Sequence, residues 1–317
     1  MYDVAALGEL LIDFTCLSTD ADGYPTMAAH PGGAPANYLA ALTKFGAKTA
    51  MIGKVGNDAF GRLLIKTLKG TGIDTRGMLV SDDVFTTLAF VTLDDSGNRE
   101  FSFARKPGAD TQLRFDEIDL GVIDASKVLH FGTLSMTNEP ARDATYKAVE
   151  YAAWRGKLIS FDPNLRKPLW NDLDEAKRQM LWGLRHADVV KISDEETEFL
   201  FSLAPEESAK HIINSFGVRL VYVTCGAEGC FYRTKTASGF VKALSGIAVK
   251  DTTGAGDIFG GSAMYGLLRA GGVPEKLTAE ELENIVSFAC ASAGLSTTKA
   301  GGISSVPELG EVEAAMK

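Results

Sequence analysis

The sequence predicts a mostly parallel α/β sheet with helices on both faces and a small β-sheet lid. Short apolar runs at 128–131, 158–161, 189–192 and 220–224 alternate with helix-like stretches at 139–154, 172–186 and 206–216. This alternation is typical of parallel strands joined by right-handed helical crossovers. Two more strand-like runs, 86–93 and 99–104, flank turn-forming residues at 94–98, which predicts a hairpin outside the main sheet.

At 317 residues the chain can form one large α/β domain or two modest ones. The chain is 45% hydrophobic and 23% charged, which allows a sizeable core. Its formal net charge of −9 argues against non-specific binding of nucleic acid and gives no reason to expect an anionic membrane surface as a partner. Any phosphate-binding site is therefore expected to be local.

The cysteine and histidine patterns predict no zinc site. The four cysteines form no zinc-type pair, and the four histidines show no ligand spacing. A reduced, cytoplasmic setting is the simplest interpretation. The sequence shows no signal peptide, no transmembrane helix and no P-loop pattern, so phosphate binding would depend on a different backbone turn.

The first candidate ligand groups lie in the N-terminal strand pattern at 2–14 and in the segment that follows it. Asp13 lies among apolar neighbours, so its carboxylate needs either a bond to loop backbone or a ligand with hydroxyl donors. Gly32 and Gly33 then precede a helix-like run that extends to residue 45. Small residues let a ligand approach the start of that helix, and the amide of Asn37 suits either a neutral polyol or a capping role.

The stretch 251–261, Asp-Thr-Thr-Gly-Ala-Gly-Asp-Ile-Phe-Gly-Gly, carries the strongest functional signal. A strand-like run at 240–249 leads into it, and a helix-like run at 258–268 leads out. Its glycines permit positive φ and close ligand approach, and the free N–H groups of a helix start favour an anion. Asp257 is either a helix cap or the group that takes a proton from a hydroxyl attacking a phosphoryl group.

Two motifs together resemble the signatures of the ribokinase-like (PfkB) sugar kinases. Residues 251–261 are similar to the C-terminal signature, and residues 32–37 (Gly-Gly-Ala-Pro-Ala-Asn) are similar to the N-terminal one, in the same order. The resemblance covers nearly the whole chain. It implies a single ribokinase-like domain over residues 1–317, ATP with Mg²⁺, and a lid over the sugar formed by about 14–27 and 86–107. Relatives often form their dimer contact through this lid, so a homodimer through the lid is expected.

The resemblance also implies roles for individual residues. Asp257 is the expected catalytic base, and the backbone N–H groups of Gly254, Ala255 and Gly256 form the expected anion hole. A carboxylate near a helix start is expected to stay ionised and to be a weak base, which a loose phosphoryl-transfer transition state tolerates. The expected sugar contacts are Asp13, Gly32, Gly33, Asn37, Arg105 and Arg166.

Nucleotide and metal contacts are implied in the same way. The expected nucleotide contacts are Asn164, Lys191, Thr224, Gly226, Gly229 and Cys290. Glu196 is expected to hold Mg²⁺ through water, and Asp251 and Thr253 to frame a K⁺ site. Relatives commonly have asparagine at two positions where this chain differs. Ser193 has a shorter side chain, and Cys290 cannot make amide contacts to adenine.

The predicted function is an ATP-dependent fructokinase that makes fructose 6-phosphate, because the stretch 105–110, with Phe101 and Phe103 before it, looks most like fructokinases. Three alternatives stay open. In a 2-keto-3-deoxygluconate kinase, Arg105 and Arg166 would clamp the substrate carboxylate. Another PfkB sugar kinase, such as ribokinase, would share the mechanism. A non-catalytic sugar-binding relative is the third, although the intact turn at 254–257 argues against it.

Overall fold

The computed structural model describes residues 1–93 and 99–317, which form a large sheet, a small sheet and helices on both sides of the large one. The strands are β1 (Tyr2–Leu7), β2 (Leu11–Thr19), β3 (Pro25–Gly32), β4 (Thr49–Gly56), β5 (Asp74–Ser81), β6 (Leu88–Leu93), β7 (Arg99–Ala104), β8 (Ser126–Gly132), β9 (Leu158–Asp162), β10 (Val189–Ser193), β11 (Leu220–Thr224), β12 (Gly229–Arg233) and β13 (Ser238–Lys242). The helices are α1 (Ala34–Lys44), α2 (Ala59–Thr71), α3 (Leu120–Asp124), α4 (Ala141–Trp154), α5 (Leu173–His186), α6 (Asp194–Phe201), α7 (Pro205–Phe216), α8 (Ala255–Arg269), α9 (Ala279–Ser296) and α10 (Leu309–Ala315).

The large sheet has nine strands in the order β13, β12, β11, β10, β9, β8, β1, β4, β5. Every neighbouring pair from β11 to β5 is parallel, whereas β12 and β13 continue the edge as antiparallel strands. The predicted mostly parallel sheet is therefore confirmed. In such a sheet, loops that carry functional side chains gather at the carboxyl ends of the strands.

Alternation along the strands gives the large sheet two buried faces. In β1, Val4 and Ala6 belong to the core beneath α1, α8 and α9, while Ala5 and Leu7 belong to the core beneath α4, α5 and α7. Because side chains point to opposite faces in turn, a strand that is buried on both sides must be apolar throughout. This explains the unbroken apolar runs in the sequence and confirms helices on both faces.

The small sheet has the order β3, β2, β6, β7 and includes most of the two segments that were expected to form a lid. Strand β2 runs antiparallel to β3 and parallel to β6, and β6 pairs antiparallel with β7. Strand β2 starts at Leu11, directly after β1, so the two sheets join close to Asp13. The hairpin turn predicted at 94–98 lies outside the described residues, and the role of this sheet as a lid stays a prediction.

The predicted strand at 240–249 is largely wrong. Strand β13 ends at Lys242, and residues 243–254 form neither strand nor helix. The N–H groups of Lys250 and Asp251 donate to the carbonyl of Thr297 instead of to a sheet neighbour. Leu244, Ile247 and Val249 line a cavity, which explains why this segment is apolar without being a strand.

Residues 194–201 form helix α6, and Ser193 caps it by accepting a hydrogen bond from the N–H of Glu196. No helix in the described part of the chain is long and apolar enough to cross a membrane.

Candidate active site

Two cavities meet at the first turn of α8. The smaller cavity, about 150 Å³, is lined by Gly254 and Asp257, and the larger, about 580 Å³, by Ala255 and Gly256. Thr252, just before the helix, lines both. The turn is therefore a shared wall with one ligand space on each side.

The geometry of this turn requires glycine at position 254. Gly254 caps α8 with φ 75°, in the left-handed region that side chains other than glycine rarely adopt. A Cβ atom there would also lie 2.9 Å from the Cα of Gly302 and 3.1 Å from Nδ2 of Asn37. The first N–H groups of α8 have no partner within the helix and carry its positive dipole end, so the turn suits an anion.

Asp257 is buried at this turn and faces the smaller cavity. Its Oδ2 accepts a hydrogen bond of 2.9 Å from Nδ2 of Asn37. Burial raises the pKa of Asp257, and the nearby ammonium of Lys191 and the bond from Asn37 oppose that rise. Burial therefore makes this carboxylate more basic than an exposed one, and its role as the catalytic base stays a prediction.

Asn37 is held in place by the backbone around it. Its amide is buried on α1, and its Oδ1 has no hydrogen-bond partner among the described residues. A Cβ on Gly302 would lie 2.2 Å from that Oδ1, so the glycine leaves just enough room for the amide. Asn37 does not line either cavity wall. Its observed contact is with Asp257, and its predicted contact with a polyol stays a prediction.

Asp13 faces the smaller cavity without a protein partner. Within the described residues, no hydrogen bond or ion pair reaches its carboxylate, and burial raises its pKa to about 7 against the opposing effect of Arg166. Gly32 lies against it, since a Cβ there would be 2.2 Å from Oδ2 of Asp13. Gly33 lines the same cavity with φ 115°. These three predicted residues do lie together.

Two residues from the loop after β9 complete this wall. Arg166 is half-buried and donates one long bond of 3.4 Å to the carbonyl of Leu165, so most of its guanidinium remains available to a ligand. Asn164 has φ 47°, and its N–H donates to Oδ1 of Asp162. Asn164 was predicted as a nucleotide contact, but the structure places it in the smaller cavity.

Arg105 is not in the smaller cavity. Its guanidinium is buried, pairs with Asp110 at 2.6 Å, and donates to Oγ1 of Thr137 and to the carbonyl of Leu134. The sequence contains Asp110 five positions later, but only the fold shows that the two side chains meet. The predicted sugar contact of Arg105 has no support in this geometry.

Lys191 lies beneath the anion-binding turn. Alternation in β10 points Val190 and Ile192 to one core and Lys191 to the face under α8. Its ammonium pairs with Oδ2 of Asp162 at 3.0 Å, and a Cβ on Gly256 would lie 3.1 Å from its Nζ. The pKa of Lys191 is raised despite burial, because several carboxylates surround it.

The carboxylates of Glu196 and Asp251 hold nearby loops in place by accepting backbone hydrogen bonds. Oε1 of Glu196 accepts from the N–H of Leu165, and Oε2 accepts from the N–H of Ser193. Oδ1 of Asp251 accepts from both the N–H and the hydroxyl of Thr253, and Oδ2 accepts from the N–H of Gly301. The turn at 251–253 is thereby tied to the loop at 301. Among the described residues, no three His, Cys, Asp or Glu side chains group as a metal site.

The larger cavity contains most of the predicted nucleotide contacts. Thr224, Gly226, Gly229 and Cys290 all line it. Gly226 and Gly229 both have positive φ, and a Cβ on Gly229 would lie 2.0 Å from the carbonyl oxygen of Val241. Burial raises the pKa of the Cys290 thiol to about 12, so it acts as a neutral wall.

Sequence reasoning gave no individual role to two buried carboxylates of this site and no packing role to Gly302. Glu9 lines the smaller cavity, and Asp162 anchors both Lys191 and the loop at 164. Gly302 supports Asn37. A signal was present for Glu9 and Asp162, because each is an acidic residue beside an apolar strand run, as Asp13 is.

Comparison with known proteins gives consistent results. The model of the pfkB family of carbohydrate kinases matches residues 1–309. A probable fructokinase-4 of Arabidopsis thaliana is 40% identical over 99% of this chain and 96% of its own length. The crystal structure of fructokinase with bound ATP from Xylella fastidiosa has a TM-score of 0.91 at 29% identity, covering 100% of this chain and 98% of that one.

Two structures of fructokinase from Vibrio cholerae O395 are also similar, each with a TM-score of 0.87, 30% identity, and coverage of 100% of this chain and 99% of theirs. One, a double mutant, is in a fructose-, ADP- and potassium-bound form, and the other is in a fructose-, ADP- and calcium-bound form.

Asp13→Asn should stabilise the folded protein, and more so at pH 8 than at pH 5. Its folded pKa of about 7 lies above the unfolded value of about 3.9, so stability is present at low pH and is lost as pH rises through the folded pKa. Urea unfolding should show a gain of about 1–2 kcal/mol at pH 8. Asp116→Asn, at a side chain that is 77% exposed, is the matched control. A less stable Asp13→Asn protein at pH 8 would contradict the assignment of an unpaired carboxylate.

Proposed function

This chain belongs to the pfkB family of carbohydrate kinases, and we propose that it is a fructokinase, which transfers the terminal phosphoryl group of ATP to the primary hydroxyl of fructose and makes fructose 6-phosphate. One observation carries the proposal. The first turn of α8 separates a small polar cavity from a large one, with a buried carboxylate on one side and helix N–H groups on the other. Phosphoryl transfer needs an acceptor and a donor on opposite sides of an anion site.

We assign the smaller cavity to the sugar. Asp13 and Arg166 offer an acceptor and a donor for hydroxyl groups, and Asp257 lies at the end next to the turn. Asp257 would take the proton of the attacking hydroxyl, and its bond from Asn37 fixes the orientation of the carboxylate. Its raised pKa brings it closer to the range in which a carboxylate is an effective base.

We assign the larger cavity to ATP. The adenine and ribose would lie among Gly226, Gly229 and Cys290, with the phosphates at Ala255 and Gly256. Backbone N–H groups of this turn would stabilise the charge on the transferred phosphoryl group, and the Lys191 ammonium beneath Gly256 adds positive charge. Because these groups are already fixed by the fold, little rearrangement is needed during the reaction.

A divalent cation fits this site through the nucleotide. Oxygen ligands suit Mg²⁺, and it usually keeps several waters while it binds phosphates. Glu196 is the protein carboxylate that would hold it through water, since each of its oxygens accepts one backbone bond and retains a lone pair. When bound, the cation neutralises the phosphate charge of ATP.

A K⁺ ion fits the loops at 251–253 and 297–302. Asp251 joins them through the N–H of Gly301, and Lys250 and Asp251 both donate to the carbonyl of Thr297. Since the Asp251 oxygens already accept N–H and hydroxyl donors, backbone carbonyls and Thr253 would supply most of the ligands. A cation there would fix the turn that precedes α8.

The alternative of a 2-keto-3-deoxygluconate kinase loses its main support. That assignment needs Arg105 and Arg166 to clamp a carboxylate together. Arg166 lines the smaller cavity, whereas Arg105 is paired with Asp110 outside it. One arginine facing Asp13 and Asp257 suits a neutral polyol better than an anion.

The domain organisation and the cellular location of the protein are two further proposals. We propose that residues 1–317 act as one domain with the small sheet as its lid, because β2 follows β1 directly and Phe103 of β7 lines the sugar cavity. We propose a cytoplasmic location, which the four free cysteines support.

Asp257→Asn should fold normally and lose about 10²- to 10⁴-fold in kcat, because the amide still accepts the bond from Asn37 but cannot take a proton. Coupled measurement of ADP release would give kcat, while thermal unfolding and ATP binding serve as controls for the fold. Near-normal turnover by the purified variant would remove Asp257 from its role as base.

The acceptor is tested by ADP release from MgATP with fructose, ribose, 2-keto-3-deoxygluconate or glucose, each in K⁺ and in tetramethylammonium buffer. We expect strong release with fructose and a higher rate in K⁺. ADP release with 2-keto-3-deoxygluconate alone would instead identify the chain as a 2-keto-3-deoxygluconate kinase. If no sugar causes ADP release, the chain does not phosphorylate these acceptors. Equal rates in both buffers would contradict the proposed K⁺ site.

The lid is the proposed dimer surface. Leu17 of β2 and Tyr24, in the turn that follows it, are 67% and 70% exposed, which is unusual for large apolar side chains on one small sheet. Leu17→Glu should therefore convert a dimer to a monomer in size-exclusion chromatography with light scattering. Val80→Glu, at an exposed position of β5, is the control. A monomeric wild-type chain would rule out the dimer.

A further inference from the structure

Glu9 is a buried carboxylate in the sugar cavity that has no role in the mechanism above. It lies between β1 and β2, is 3% exposed, and lines the cavity together with Asp13. Its Oε1 accepts a bond of 2.9 Å from the N–H of Ala34, at the start of α1. That is the one hydrogen bond to another residue that its carboxylate makes within the described part of the chain.

The charges around Glu9 do not neutralise it. Arg105, whose positive charge acts on Glu9, is already paired with Asp110 at 2.6 Å. Among the described residues lining the cavity, Glu9, Asp13 and Asp257 are acidic and Arg166 alone is basic. Keeping unpaired carboxylates buried costs stability, so a ligand that supplies hydrogen-bond donors is the natural partner for them.

We propose that Glu9 is a specificity-determining residue, which accepts a hydrogen bond from a hydroxyl of a neutral sugar and excludes sugar acids by charge repulsion. The inference rests on the proposed sugar kinase function. A hydroxyl satisfies the free carboxylate oxygen, whereas a substrate carboxylate in the same place would bring two negative charges together in a poorly solvated cavity.

Because Glu9 accepts a hydrogen bond from the N–H of Ala34, the effect of its charge can be tested separately from the effect of its shape. In Glu9→Gln the amide oxygen can still accept from the N–H of Ala34, so the start of α1 keeps its support while the charge is lost. Burial raises the pKa of Glu9 to about 7, so assays at pH 8 compare a mostly ionised carboxylate with a neutral amide.

The test uses two acceptors that differ in charge. 2-Ketogluconate is fructose with the C1 hydroxymethyl group replaced by a carboxylate. For Glu9→Gln, we expect kcat/KM with fructose to fall about tenfold, mainly through KM, because a bond to a charged acceptor is replaced by a neutral one. The ratio of kcat/KM for 2-ketogluconate to that for fructose should rise at least about tenfold.

Two variants serve as controls. Glu150→Gln makes the same chemical change at an exposed position of α4 and should leave the ratio unchanged. Glu9→Asp keeps the charge and should keep the ratio within about threefold of the wild type. If Glu9→Asp raises the ratio as much as Glu9→Gln, the effect is one of shape, and the proposal fails.

The remaining outcomes also decide the question. A folded Glu9→Gln protein with an unchanged ratio would overturn the proposal while leaving the kinase assignment intact. If the wild type phosphorylates neither sugar, the proposed function itself has failed. If Glu9→Gln does not fold, a Glu9→Asp ratio that stays low still supports charge exclusion, and one that rises contradicts it.

Discussion

The site depends on the hydrogen bond between Asn37 of α1 and Asp257 of α8, because it links the two helices whose starts form the cavity walls. The bond is possible only because the helices approach closely. A Cβ on Gly261 would lie 2.3 Å from the carbonyl oxygen of Tyr38, and one on Gly302 would enter the space of the Asn37 amide. Gly260 and Gly261 thus serve helix packing, whereas Gly254 shapes the turn before α8.

Burial of charge is the second constraint on this molecule. Glu9, Asp13 and Asp162 each have a pKa raised to about 7 by burial, and only Asp162 has a cation bonded to it, Lys191. In the folded chain these carboxyl groups are therefore harder to ionise than in the unfolded chain, where water solvates the charge. Such instability is typical of functional sites, where a bound ligand supplies the missing hydrogen bonds.

Much of this could be predicted from the sequence. Strand–helix alternation predicts the parallel sheet because a strand buried on both faces is apolar throughout, and the glycine turn before Asp257 predicts the anion site because its residue types match its geometry. Arg105 could not be placed, since its pairing with Asp110 depends on how the chain returns from β7. The apolar run at 240–249 looked like a strand because a cavity wall and a sheet interior both select apolar residues.

One turn of α8 is the wall of both cavities, with Thr252 touching each. A substitution at that wall therefore changes the shape of both cavities at once. The smaller cavity can change by itself at its far side, on β2, on β7 and in the loop after β9. A family built on this plan would keep its phosphate chemistry fixed and vary its substrates from the opposite wall.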